Sequence, residues 1–322
     1  MKKKIALGVL VFFILGGLAL VQMLGPRLGM IFGKPIYIIE PEADEFGEIA
    51  FSYMDQMGIH SQEESWKKER ETARKELTSV KSKEELRPLV EKYIKIAGGK
   101  HSFVMDNQGK EEVEAEFVLP ETSFENGIVY VKLPGFMSTP EQGAKYANTI
   151  ANAFQEENIR GAIVDLRGNT GGDMGPMVAG ISPLLRDGEI MYFSSLAGDN
   201  AVTLENGINK GGGSSVEVEN KEKVQGIPIG VLTDEKTASS GEATLIALLG
   251  EKRVRTFGKP TAGYASANTI FPITKEWSMV LTISKNKSRE GKIFEEEPMV
   301  PDENTERSLE AAKSWIEKET RG

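Results

Sequence analysis

Apolar residues follow three different rhythms along this chain. From Ile5 to Pro26 the sequence IALGVLVFFILGGLALVQMLGP carries no charge, and Lys2, Lys3 and Lys4 precede it. At about 1.5 Å of rise per residue such a helix spans a hydrocarbon core of roughly 30 Å. The lysines place its N-terminus on the cytoplasmic side and the rest of the chain outside. A cleaved signal peptide is the competing reading, but its apolar segment is usually only about 7–15 residues and ends at small residues. Residues 1–27 are therefore read as an uncleaved anchor.

A short β-like run, PIYIIE from Pro35 to Glu40, opens the next segment. Across 41–98 the apolar residues recur at helical spacing: Ala43, Phe46, Ala50, Tyr53 and Met57, then Trp66, Ala73, Leu77 and Val80 in a strongly charged stretch. Ser82 and Glu85 form a capping box for a third helix, Gly98 stops it, and Pro88 predicts a late start or a kink. Residues 35–100 thus read as a helical subdomain with solvated charged faces.

From about residue 112 strands alternate with helices. VEAEFVL leads through a turn to GIVYVKL, Gly127 to Leu133. Thr139, Pro140 and Gln142 open a helix that extends to about Glu157. GAIVDL (Gly161 to Leu166) and IPIGVL (Ile227 to Leu232) are continuous apolar runs of the kind buried on both faces of a sheet. Between them, GINKGGGSS (Gly207 to Ser215) reads as a flexible surface loop of the sort that covers a cleft. The order predicts an α/β core over 112–310 and a helical tail over 311–322.

Composition narrows the function. A net charge of −9 and the lack of any basic aromatic cluster argue against a nucleic-acid partner. The chain has no cysteine, which excludes disulfides, thiol catalysis and zinc–thiolate sites.

Candidate chemistry gathers at two strand-to-helix turns, RGNTGGD (Arg167 to Asp173) and DEKTASSGE (Asp234 to Glu242). Ligands of such sheets bind outside the carboxyl ends of the strands. Ser239 and Ser240 sit where a buried strand hands over to a helix N-terminus, whose N–H groups could hold an oxyanion. A serine pair there can equally be a plain helix cap. The glycine turn lacks the spacings of nucleotide-binding loops.

Taken together, these segments resemble the tail-specific, or C-terminal processing, protease family. TASSGE resembles its nucleophile motif, DLRGNTGG its oxyanion-glycine motif and GIVYVKLPGF the preceding strand. GKPTAGYASAN (Gly258 to Asn268) and PMVPD (Pro298 to Asp302) follow in the family's order. The resemblance implies a crotonase-like ββα-superhelix core, Ser239 as nucleophile, and an oxyanion hole from the N–H of Ser240 with Gly171 or Gly172. It leaves no room for a PDZ domain between Val113 and Gly127.

Tyr264 stands where that family's dyad lysine would be, and Lys259 lies five residues earlier. The tricorn-like branch uses a histidine base instead. The chain has two histidines. His60 reads as a surface residue, whereas His101, in GGKHSFVM, resembles that branch's base. An unperturbed imidazole, with a pKa of about 6.5, suits a serine near neutral pH. The branch's glutamate maps to Glu295, ahead of Glu296 and Glu297. The implied activity is hydrolysis of a peptide or unfolded protein through an acyl-enzyme, with no metal or cofactor, by a protein held in the membrane by its N-terminal helix. The other reading is an inactive member that binds peptides or small apolar ligands.

Overall fold

The computed structural model describes residues 2–107 and 117–321, without the side chains of residues 2–11 and 14. Two compact units result, Met1–Val113 with Asn268–Ile283, and Glu114–Ala267 with Ser284–Gly322.

The first unit begins with an apolar helix, Lys2–Leu24, of 23 residues. Among the described residues this N-terminal region holds the helix long and apolar enough to cross a membrane. Three amphipathic helices follow, Ala43–Met57, Glu64–Leu77 and Lys83–Gly98. Phe46, Phe51, Trp66, Leu86, Tyr93 and Ile94 form their shared core. Pro88 lies within the third helix, which nonetheless starts at Lys83, directly after its Ser82 cap, so the expected late start does not occur. The PIYIIE run is not a strand. Its Ile38 and Ile39 backbone groups bond to the Gln22 side chain instead of to a sheet neighbour.

The expected boundary at 112 understates this unit. Residues 268–283 return to it, because Phe271, Ile273, Trp277, Met279 and Leu281 complete the helical core. Strand Phe103–Asp106 pairs there with Trp277–Val280, antiparallel.

The second unit is built on a sheet whose order is Glu303–Asn304, Val254–Gly258, Ile229–Thr233, Gly161–Asp165, Ile128–Lys132 and Glu121–Glu125. All neighbours are parallel except the last pair, a hairpin turned by Asn126 and Gly127, both at positive φ. The expected VEAEFVL strand lies partly outside the described residues, and its described end, from Phe117, is not strand.

Alternation along the central strands sends Val129, Val131, Val164 and Val231 to one face. Helices Pro140–Asn152, Met174–Gly180 and Ser240–Leu249 contribute Ile150, Met177 and Ile246 to the same core. Ile128, Ile163, Leu232 and Phe257 point the other way, onto Ala312 and Ile316 of helix Ser308–Arg321. The C-terminal helix is therefore a packed layer of the core rather than a tail beginning at 311.

The glycine-rich stretch also departs from its expected form. Gly188–Ser195, Gly198–Glu205 and Ile208–Lys210 make an antiparallel meander. Gly212 and buried Asn209 belong to a tight turn, in which Asn209 Nδ2 donates to the carbonyls of Gly212 and Ser214. Ser214 N–H donates to Asp173 Oδ1, which caps helix Met174–Gly180. The turn is anchored beside the RGNTGGD segment, so it is no free lid.

Candidate active site

Strands Gly161–Asp165 and Ile229–Thr233 are parallel neighbours in register, so the turns that follow them emerge side by side. The first turn is braced at its root. Buried Asp165 accepts from Arg167 Nη2 at 2.5 Å, Arg167 Nε at 2.9 Å and Tyr130 Oη at 2.8 Å. Hydrogen bonds then lace the turns together: Thr237 Oγ1 to Leu166 O at 2.9 Å, Gly168 N–H to Asp234 Oδ1 at 3.0 Å, and Ala238 N–H to Asn169 O at 2.9 Å.

Asn169 is the knot of this arrangement, and reasoning from sequence missed it. It is fully buried; Nδ2 donates to Leu133 O at 2.9 Å, and Oδ1 accepts the Gly171 N–H at 2.9 Å. An asparagine between a buried strand and a glycine pair was the available signal, since its short amide can satisfy a turn's backbone from within.

Ser239 is the N-cap of helix Ser240–Leu249 and sits at φ 53°, ψ −116°. A non-glycine residue there is strained, and such strain at a strand-to-helix turn is how a nucleophile's oxygen is exposed. Gly171 stands directly against it. A β-carbon on Gly171 would lie 2.8 Å from Ser239 Cβ and 3.0 Å from Ser240 N, and its φ of +103° also requires glycine. Ser240 Oγ donates to Gly172 O at 2.5 Å, clamping the glycine turn to the helix N-terminus. The structure thus brings Ser239, Ser240, Gly171 and Gly172 together.

Glu242, three residues into the same turn, is fully buried. Its Oε2 accepts the N–H of Ser239 at 3.1 Å and of Tyr264 at 2.6 Å. Its Oε1 accepts Thr261 Oγ1 at 2.5 Å and the Gly263 N–H at 2.9 Å. Burial pushes its pKa up, against the opposing effect of these hydrogen bonds. The carboxylate joins the serine turn to the TAGYAS loop, a link beyond the helix-terminus role its sequence position suggests.

The remaining candidates belong to other segments of the chain. His101 belongs to the helical unit, just past the end of helix Lys83–Gly98, and its carbonyl accepts Asn268 Nδ2 at 3.1 Å. The imidazole is half-buried. Burial, then the charges of Lys95 and Lys100, push its pKa down to about 4, well below the unperturbed value assumed from sequence. His60 pairs through Nδ1 with Glu63 at 2.6 Å. Glu295 is exposed and pairs with Lys285 Nζ at 2.5 Å, beside a cavity of about 560 Å³ whose walls include Leu249, Phe294 and Val300 but not the serine turn. Lys259 is half-buried, and its pair with Glu306 at 2.9 Å raises its pKa. No cluster of potential metal ligands occurs among the described residues.

A mixed α/β fold with these two turns is the architecture of a peptidase family. The chain belongs to peptidase family S41, whose sequence profile matches residues 127–305. It is 33% identical over 283 residues to the nisin-resistance protein of Lactococcus lactis subsp. lactis, covering 87% of this chain and 89% of that protein. Among solved structures, a lipoprotein from Streptococcus agalactiae superposes with a TM-score of 0.74 at 27% identity, over 88% of this chain and 99% of that one. The photosystem II D1 C-terminal processing protease shares the fold, with a TM-score of 0.57 at 12% identity over 83% and 94% of the two chains.

Proposed function

We propose that the protein is a serine peptidase, anchored in the membrane by helix Lys2–Leu24 and acting on peptides outside it. The observation that carries this reading is the seating of Gly171 against Ser239, which places a strained serine beside a glycine turn at a helix N-terminus. Ser239 Oγ attacks the scissile carbonyl carbon while His101 takes its proton. The tetrahedral oxyanion is held by backbone N–H groups. His101 then returns the proton to the leaving amine, and water resolves the acyl-enzyme by the same route.

Because the Gly171 N–H is committed to Asn169, the oxyanion donors in this reading are Ser240 and Gly172. Gly171 supplies the space they need. The carboxylate that organises the serine turn is Glu242 rather than Glu295, whose partner is Lys285. His101 belongs to the tricorn-like, histidine-based scheme, and the mechanism requires its imidazole to reach Ser239 Oγ in the reacting enzyme. The Lactococcus lactis relative is named for nisin resistance. We extend that to this chain as a substrate class: an antimicrobial peptide encountered at the membrane.

The test is to treat the full-length protein with a serine-reactive fluorophosphonate and to assay hydrolysis of nisin and of an unfolded protein. Labelling that is lost in Ser239→Ala, with hydrolysis of either substrate, is the expected result. An unlabelled, inactive wild-type protein that still binds peptide would establish a binding module instead.

A further inference from the structure

The chain does not leave its apolar helix through a loose linker. Helix Lys2–Leu24 runs into a short 3-10 turn, Gly25–Leu28, and a single helical turn, Gly29–Phe32. Gly33, at φ +69°, then reverses the chain. The returning strand of backbone lies back along the end of the helix. Ile36 N–H donates to Gly25 O at 3.1 Å, and a β-carbon on Gly25 would collide with Ile36 O.

Gln22 fastens the reversal. Its Oε1 accepts the N–H groups of Ile38 at 3.0 Å and Ile39 at 2.9 Å, and its Nε2 donates to Ile39 O at 2.7 Å. Gln22 is the polar side chain nearest the end of the apolar run. In contact with lipid an unpaired amide is costly, and so is unpaired backbone. Here each satisfies the other. Ile38 and Ile39 are thereby held level with the last turns of the helix, about 6 Å back from Pro26 at the helical rise.

On both sides of the reversal, apolar side chains are exposed, while Pro35 is buried and the Tyr37 ring packs on Phe46. Ile31 and Ile39 are 74% and 72% exposed, and Phe32, Ile38, Met30 and Leu28 are exposed as well. Exposed Arg27 and Lys34 flank them. On the inner side the segment is attached to its own unit: Tyr53 Oη donates to Arg27 O at 2.5 Å, and Gly29 packs against Pro272. Glu40, also exposed, follows Ile39 and is paired with Lys83. An exposed apolar patch beside a helix long enough to span a membrane, with Arg27 and Lys34 at its edge, matches a surface buried at the headgroup–acyl boundary.

We propose that residues 28–39 form a foot that lies in the outer interface of the membrane and seats the helical unit on the bilayer. Its occupant is lipid, with Arg27 and Lys34 directed to anionic headgroups. This rests on the reading of Lys2–Leu24 as a membrane anchor, and the two can fail separately.

The chain has no cysteine, so single cysteines introduced at Ile39, Ile31, Phe13 and Leu196 report one position each. The full-length variants are labelled with an environment-sensitive fluorophore and reconstituted into phosphatidylcholine–phosphatidylglycerol vesicles. The expected result is strong quenching at Phe13 by deeply placed doxyl lipid. Labels at Ile39 and Ile31 should be quenched by shallow doxyl lipid and brighten several-fold over the label at exposed Leu196. A membrane-embedded Phe13 label with labels at Ile39 and Ile31 as water-exposed as Leu196 overturns the foot and leaves the anchor standing. A Phe13 label in water overturns both. If Ile39→Cys misfolds, Ile31→Cys, on the solvent side of its own helical turn, carries the same decision.

Discussion

The N–H of Ser239 donates to Glu242 Oε2 at 3.1 Å, so the residue proposed as nucleophile is held by a carboxylate with no solvent exposure. Three further donors converge on that carboxylate, from Thr261, Gly263 and Tyr264. Glu242→Ala removes the acceptor that all four share. Each buried donor so abandoned costs roughly 1–3 kcal/mol, and the losses are not fully additive, so a destabilisation of about 3 kcal/mol or more is expected. Glu242→Gln keeps one acceptor oxygen and should lose less. Urea unfolding of the two variants checks this. An Ala variant with the wild-type midpoint would show that the serine turn does not depend on the link.

The two adjacent serines should separate cleanly. Ser239→Ala is expected to abolish hydrolysis with a stability change of at most about 2 kcal/mol, the upper end of a capping contribution. Ser240→Ala removes the hydroxyl that clamps Gly172 O but keeps the backbone N–H. Losing that hydrogen bond is worth about 1 kcal/mol, so a several-fold fall in kcat is expected rather than its loss. Steady-state kinetics beside thermal unfolding measures both. The opposite ranking would move the nucleophile to Ser240.

Why this turn was legible in the sequence, and other parts were not, has a physical basis. A fully buried parallel strand must be continuously apolar, so GAIVDL and IPIGVL announced themselves, and the serines followed from where the second run ended. The meander over Gly188–Lys210 carries no such mark, because its strands are half exposed and rich in polar residues. PIYIIE has strand composition, yet its hydrogen-bond partner is the Gln22 side chain, which no local pattern encodes. The return of residues 268–283 to the helical unit is set by Phe271, Trp277 and Leu281 finding a distant core. Buried Asn169 and Glu242 act through backbone groups of other segments, and spacing along one segment cannot reveal such partners.

Gly171 and Gly168 make a matched pair of substitutions. Both have positive φ, +103° and +76°, but a β-carbon on Gly168 meets nothing within 4 Å, whereas one on Gly171 meets Ser239. Gly168→Ala should cost only the conformational penalty, about 1–2 kcal/mol, with near-normal turnover. Gly171→Ala should lower kcat by orders of magnitude, because it displaces the nucleophile and the first N–H of its helix. Comparable kcat in the two variants, at matched stability, would remove the glycine turn from the catalytic geometry.

The base assignment is tested by pH. Burial with Lys95 and Lys100 nearby lowers the His101 pKa to about 4, and only the neutral imidazole can accept the serine proton. If His101 is the base, kcat/KM should be level through neutral pH and fall in acid with an apparent pKa near 4, not near 6.5. The same shift governs stability. In the unfolded chain a histidine titrates near 6.5, so the folded state binds the proton less readily. The contribution is complete above that value and is lost as pH falls towards about 4. His101→Gln should lower kcat about 10²–10⁴-fold, the range for removing a general base, and should abolish the acid limb of the stability profile that His101 contributes. Lys259 offers the contrasting case: paired with Glu306 and raised in pKa, it is held protonated, so Lys259→Met should leave activity near wild type. Full activity in His101→Gln together with loss in Lys259→Met would reverse the assignment and restore a lysine base.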